Sequence, residues 1–151
     1  MKKVLIVYVS VHHGNTEKVA KAMASVLKAR LVKVHEINKK IFSRYNVIGF
    51  GSGIFFWRHH PSLLRLIDSS ELKKKKVFIF STRGDKFSWK VGHRMLKKKL
   101  LAKKCKIIGE FSCLAWDNVG PLKYIGGINR GRPNKDDLRN AENFARKIKN
   151  K

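Results

Sequence analysis

The chain has 151 residues, 43% hydrophobic and 10% aromatic, a size and composition that fit one folded domain over 1–151 and exclude a disordered tail. Lys and Arg number 35 against 10 Asp and Glu, a formal charge of +25 that attracts polyanions, but there is no basic tail, zinc-finger spacing or aromatic RNP-like strand, so nucleic acid is not the expected partner. No apolar stretch approaches the roughly 18 residues of a membrane span, so no membrane insertion is expected, and Cys105 and Cys113 form neither a disulfide framework nor a metal spacing and suit a reducing cytoplasm.

Two lysines followed by an apolar run give the start the look of a signal peptide. No small-residue cleavage site follows, and Gly14-Asn15-Thr16 comes at once. Val4 to Val9 is therefore read as a strand buried on both faces. From Asn15 to Lys28 the residues Val19, Ala20, Met23, Ala24 and Leu27 recur at helical spacing. Leu31 to Ile37 reads as a weaker edge strand, and Asn46 to Gly51 as the next strand, stopped by Gly51-Ser52-Gly53. Pro61 suits the first turn of a helix through Leu63, Leu64 and Ile67. Val77 to Phe80 is a short strand. Trp89 to Ala102 is a helix with Met95, Leu96 and Leu100 inward, and Lys106 to Cys113 is a strand. Leu138, Ala141, Phe144, Ala145 and Ile148 mark a closing helix.

This alternation implies an α/β fold, a doubly wound five-stranded parallel sheet in the order 2-1-3-4-5. In that order ligands bind beyond the carboxyl ends of strands 1 and 3. Ser10-Val11-His12-His13-Gly14-Asn15-Thr16 lies at the first of these ends. Hydroxyl, amide and imidazole groups converge there on a helix N-terminus, and Gly14 lets the backbone turn toward an anion. No Gly-Lys-Ser/Thr and no Gly-x-Gly-x-x-Gly occurs here, so the loop suits a single terminal phosphate rather than a nucleoside triphosphate or a dinucleotide. The plainer reading is a capped helix start with Asn15 as N-cap.

Gly51-Ser52-Gly53-Ile54-Phe55-Phe56-Trp57-Arg58-His59-His60 occupies the second end, where consecutive aromatics offer stacking area for a flat ring or pack on the core. Ser81-Thr82-Arg83-Gly84 follows the fourth strand and offers backbone groups to a ring edge. His12, His13, His59 and His60 have the chemistry of a metal cluster, but phosphate and ring contacts explain them more simply, and no metal is expected. Cys113 reads as a buried structural thiol, and Asp136 and Asp137 as carboxylates favoured at a helix start.

Together these loops resemble the flavodoxins. Val7 to Ala20 is similar to the family's Gly-Asn-Thr phosphate loop, Val47 to Ile54 to its second loop and Phe80 to Gly84 to its third. Gly126 to Leu138 resembles a subgroup of single-domain microbial flavodoxin-like proteins. The resemblance implies bound FMN, its phosphate held by Ser10, His12, His13, Gly14, Asn15 and Thr16. The isoalloxazine would lie between Ser52, Gly53, Ile54, Phe55, Phe56 and Trp57 on one side and Ser81, Thr82, Arg83 and Gly84 on the other. It further implies electron transfer between redox partner proteins without a catalytic residue, the high positive charge here favouring partners with acidic docking faces. Two alternatives stand beside it: an FMN-dependent NAD(P)H:quinone or flavin reductase, and a basic protein of the same fold that has lost FMN. The chain departs from the family in its longer first loop with His12-His13, in Arg83, in its basic charge, and in Leu114-Ala115-Trp116, where the subgroup tends to carry a Cys-Arg-Gly-like sequence.

Overall fold

In a computed structural model the described residues are 2–87 and 89–151; Met1 and Ser88 lie outside them. The elements are β1 (Val4–Tyr8), α1 (Asn15–Leu27), β2 (Arg30–Lys33), β3 (Val47–Phe55), β4 (Arg58–His59), α2 (Pro61–Asp68), β5 (Lys76–Arg83), α3 (Trp89–Ala102), β6 (Lys106–Leu114) and α4 (Lys135–Lys149). The parallel order is β2-β1-β3-β5-β6, and β4 pairs antiparallel with the end of β3. Apart from that added hairpin strand, the topology is the expected doubly wound one.

Side chains alternate across the strands into two cores. Val4, Ile6, Tyr8, Phe78 and Phe80 meet Val19, Ala20, Met23 and Leu27 of α1 and Ala141, Ala145 and Ile148 of α4. Leu5, Val7, Ile48, Phe50 and Ile79 meet Leu63 and Ile67 of α2 and Leu96 and Leu100 of α3 on the other face. Among the described residues no helix is long and apolar enough to cross a membrane.

Several sequence boundaries shift. The edge strand ends at Lys33, and Val34–Glu36 turns into a 3-10 helix. Val34 and Ile37 still pack on the second core, which explains the apolar run that read as strand. Gly51-Ser52-Gly53 does not stop β3, which continues to Phe55. β5 likewise runs on to Arg83, so Ser81 and Thr82 are strand residues. Met95 is 41% exposed rather than inward; His93, Leu96 and Leu100 form the buried stripe of α3.

Two β3 glycines persist in the sheet because aromatic rings cover them. A Cβ on Gly49 would lie 2.2 Å from Cζ of Phe78, and one on Gly51 would lie 2.2 Å from Cε2 of Phe80. Both rings are fully buried, so neither has space to withdraw. Gly51→Ala is expected to lower the unfolding free energy by about 1–3 kcal/mol, with partial recovery in Gly51→Ala/Phe80→Leu. Urea unfolding measures both; a neutral Gly51→Ala would contradict this packing.

Candidate functional site

The first loop leaves β1 and enters α1 through Gly14, whose φ of 65° and ψ of 21° are left-handed. A Cβ there would meet nothing within 4 Å, so the glycine is required for its backbone conformation and not for space. Gly14, and not Asn15, is the N-cap residue. Ser10 Oγ accepts the Glu17 N–H at 3.2 Å, and the His12 carbonyl accepts that of Asn15 at 3.2 Å. Asn15 and Thr16 are buried inside the first turn.

The second loop is a hairpin. Ile54 pairs with His59 and Phe55 with Arg58, leaving Phe56-Trp57 as a two-residue turn. Both turn residues have positive φ, 50° and 66°. Tight hairpins of this kind favour Asn-Gly, and bulky aromatics there hold strain on the order of 1–3 kcal/mol each. Neither packs on the core: Phe56 and Trp57 are exposed. Phe55 instead turns inward, edge-on to His12 at 5.5 Å and to His60 at 6.2 Å.

The segment after β6 closes over the same edge. The Asn15 side-chain amide donates to the Trp116 carbonyl at 2.8 Å. His13 stacks on the Trp116 ring with centroids 3.7 Å apart, and its Nε2 meets Asn118 Oδ1 at 2.9 Å. Asn129 Nδ2 donates to the carbonyls of Gly84 at 2.6 Å and Ala115 at 3.3 Å, joining this segment to the third loop. Arg132 and Asp137 fix its far end by two hydrogen bonds of 2.6 Å.

These loops border a narrow, half-open cleft at the carboxyl edge of the sheet. Of the expected site residues, His12, Asn15 and Thr16 line it from the first loop, Gly53, Ile54 and Phe55 from the second, and Thr82, Arg83 and Gly84 from the third. Ser10, His13 and Gly14 shape the first loop without lining the cleft. Ser52 accepts the His60 N–H at 2.9 Å, and Ser81 points into the α3 side. Val11 of the first loop also lines the cleft, as do Ala115, Trp116 and Asp117, the last three unforeseen as site residues in the sequence. Their signal was position: the segment after the last strand also emerges at the carboxyl edge.

The cleft is polar in an unfinished way. Asn15 Oδ1, an acceptor, and Arg83 Nε, a donor, are buried without hydrogen-bond partners. Thr16 and Thr82 share one hydroxyl–hydroxyl hydrogen bond of 2.9 Å. That bond uses one of their two protons, so the other is left to donate into the cleft. Burial pushes the Arg83 pKa down. A ligand carrying both acceptors and donors, such as phosphate and carbonyl oxygens together with hydroxyls, complements this set.

Behind Arg83 runs a buried chain. Arg83 Nη1 donates to Ser112 Oγ at 2.9 Å, Ser112 and Ser81 hydroxyls meet at 2.7 Å, and Ser81 Oγ meets His93 Nε2 at 2.7 Å. His93 Nδ1 lies 3.1 Å from Glu110 Oε1, and Lys97 donates to Oε2 at 3.1 Å. A carboxylate only accepts, so Nδ1 carries the imidazole proton and each hydroxyl donates toward His93. His59 lies 5.0 Å from the His93 ring and bonds the Phe80 carbonyl through Nε2 at 3.1 Å. His12 and His60 thus border Phe55, His13 stacks on Trp116 and His59 faces the core; among the described residues no group of three or more His, Cys, Asp or Glu is gathered as metal ligands. Cys113 is buried, and burial pushes its thiol up to about 12.

The sequence model of the flavodoxin domain matches residues 5–114. An uncharacterized protein of Methanocaldococcus jannaschii is 42% identical over 146 residues, 97% of each chain. A solved archaeal flavodoxin superposes with a TM-score of 0.74 at 15% identity, over 98% of this chain and 96% of its own. Flavodoxin 1 of Bacillus cereus superposes with a TM-score of 0.73 at 16% identity, over 97% and 96%. At such identities these superpositions establish the fold.

The two buried histidines make stability pH-dependent. Burial lowers His59 from 6.5 to about 3 and His93 from 6.5 to about 4, the latter even with Glu110 at its Nδ1. Below pH 6.5 the unfolded chain binds protons that the folded chain refuses. Their contribution is therefore complete above pH 6.5 and is lost as pH falls toward 4, at roughly 1 kcal/mol per pH unit for each histidine. Denaturant unfolding between pH 7 and 4 should show this decline, and His93→Gln should make it shallower. Equal slopes in parent and variant would contradict a neutral buried His93.

Proposed function

The chain belongs to the flavodoxin family, and from that premise we propose that it binds FMN non-covalently in the cleft and carries electrons between redox partners. The single observation that carries this reading is the incomplete polar set of the cleft: Asn15 Oδ1, Arg83 Nε and the spare Thr16/Thr82 proton around one helix N-terminus. Bound FMN supplies the redox chemistry.

The protein's part is to hold, orient and tune. Thr16 and the N–H groups of the first turn of α1 hold the phosphate, with Ser10, His12, His13 and Gly14 shaping the loop. Asn15 Oδ1 accepts from a ligand hydroxyl or N–H. Gly53, Ile54 and Phe55 border the ring from the second loop, with Ser52 setting that loop, and Thr82, Arg83 and Gly84 from the third, with Ser81 anchoring the strand behind it. Trp116 adds a second aromatic wall, and Arg83 places a positive charge beside the ring. Positive charge stabilises an electron added nearby, so the potentials are less negative than in an acidic protein of this family. Partners with acidic faces associate fastest, in a salt-dependent manner.

A second reading draws on one observation. Phe56 and Trp57 stand out in solvent and leave the cleft mouth uncovered by the aromatic turn, which favours access by a nicotinamide and hence an FMN-dependent NAD(P)H reductase.

The test is a visible spectrum of protein purified or reconstituted with FMN, then a redox titration of parent and Arg83→Glu. Flavin bands are expected, with the lower one-electron potential more negative in Arg83→Glu by roughly 60 mV, a tenfold change in equilibrium constant. A protein that stays colourless after reconstitution would overturn FMN binding, and an unchanged potential would remove Arg83 from the account. Rapid reduction by NADPH in stopped flow, without a partner protein, would select the reductase reading.

A further inference from the structure

Large apolar side chains stand exposed at one end of the molecule. Phe56 is 91% exposed, Phe87 87%, Tyr124 81% and Ile125 72%, with Trp57 and Val11 also in solvent. They come from four separate segments: the turn after β1, the β3–β4 turn, the loop after β5 and the 3-10 helix Gly120–Ile125 after β6. In a parallel sheet, segments following strands emerge at the carboxyl edge, so these residues ring the mouth of the cleft. Phe56, Phe87, Tyr124 and Ile125 do not line it.

Cations accompany the rings. Lys123 Nζ lies 5.1 Å from the Tyr124 ring centroid. Arg58 and Lys86 adjoin Trp57 and Phe87 in sequence, in a chain of formal charge +25. Separate prongs almost wholly clear of the surface suit a soft medium that closes around each one. A protein partner would instead need a pocket at every fixed position. Rings at a water–hydrocarbon boundary with Lys and Arg beside them match an interface of anionic headgroups over acyl chains.

We propose that this rim is a lipid-docking surface: the protein sits on an anionic bilayer with the mouth of the cleft toward the headgroups. This inference rests on the exposed rim and not on FMN binding.

The experiment is sedimentation of the full chain with phosphatidylcholine vesicles prepared with and without phosphatidylglycerol. Trp emission and FMN binding are followed in the same samples. Binding to the anionic vesicles is expected, with a blue shift and with quenching of Trp57 by bromine-labelled lipid that is lost in Trp57→Phe. Phe87→Ser/Tyr124→Ser/Ile125→Ser should weaken vesicle binding by at least ~10-fold while leaving FMN binding as it was. The proposal is overturned by absent binding at low salt, or by vesicle binding equal in parent and triple variant, which would leave only diffuse charge attraction. It is also overturned by rim-dependent binding to poly-L-glutamate with vesicles ignored, which would assign the rim to an acidic protein. A colourless protein that still binds vesicles through the rim would separate this proposal from the FMN reading.

Discussion

β1 is paired on both edges, with β2 on one side and β3 on the other, and the cleft follows from that single constraint. Right-handed crossovers send the chain after β1 to the α1 face and the chain after β3 to the α2 and α3 face. The two loops therefore part at the carboxyl edge, and a crevice opens between them. Residues that fill the resulting space come from segments far apart in sequence. They meet there because five buried residues, Val4–Tyr8, fix the central strand.

The first and second loops meet through the His12–Phe55 ring contact, and the segment after β6 is tied to the first and third loops by hydrogen bonds and one ring stack. Asn15 to Trp116, His13 on Trp116, and Asn129 to Gly84 and Ala115 each join one loop to another. The Ser112–Ser81–His93–Glu110 chain orients the acceptor that holds Arg83. Buried polar chains stabilise only when every member is satisfied; here the hydroxyls donate toward Nε2 of a neutral His93, whose Nδ1 proton goes on to Glu110. Among the described residues, two of the three buried side-chain atoms left unsatisfied, Asn15 Oδ1 and Arg83 Nε, belong to residues lining the cleft. The third such atom, His59 Nδ1, lies in the core.

Much of this was legible in the residues. The β-branched run of β1, the periodic faces of α1 and α4, and the Gly14-Asn15-Thr16 turn carry their own local signals, and strand alternation with helices dictates the topology. Other features lacked a local signal. Ser81 and Thr82 are small and polar, so they read as loop, yet β6 pairs with them to the end of the strand. Gly51 reads as a stop, because the Phe80 ring that covers it is distant in sequence. Met95 belongs to the apolar pattern of α3 but is displaced from the core by His93, a polar residue that burial and three partners accommodate. Trp116 and Asp117 belong to a segment without helical or strand periodicity, brought to the cleft by long-range hydrogen bonds.

FMN binding as proposed requires a phosphate seated at the N-terminus of α1 with a flat ring beyond it. The most direct measurement compares the affinities of FMN and riboflavin, ligands that differ only by the phosphate, by quenching of flavin fluorescence. The account predicts FMN binding tighter by roughly tenfold or more, the worth of one charge-assisted hydrogen bond at about 1.5–3 kcal/mol, with most of that difference lost in Thr16→Ala. Equal affinities for the two flavins would contradict it.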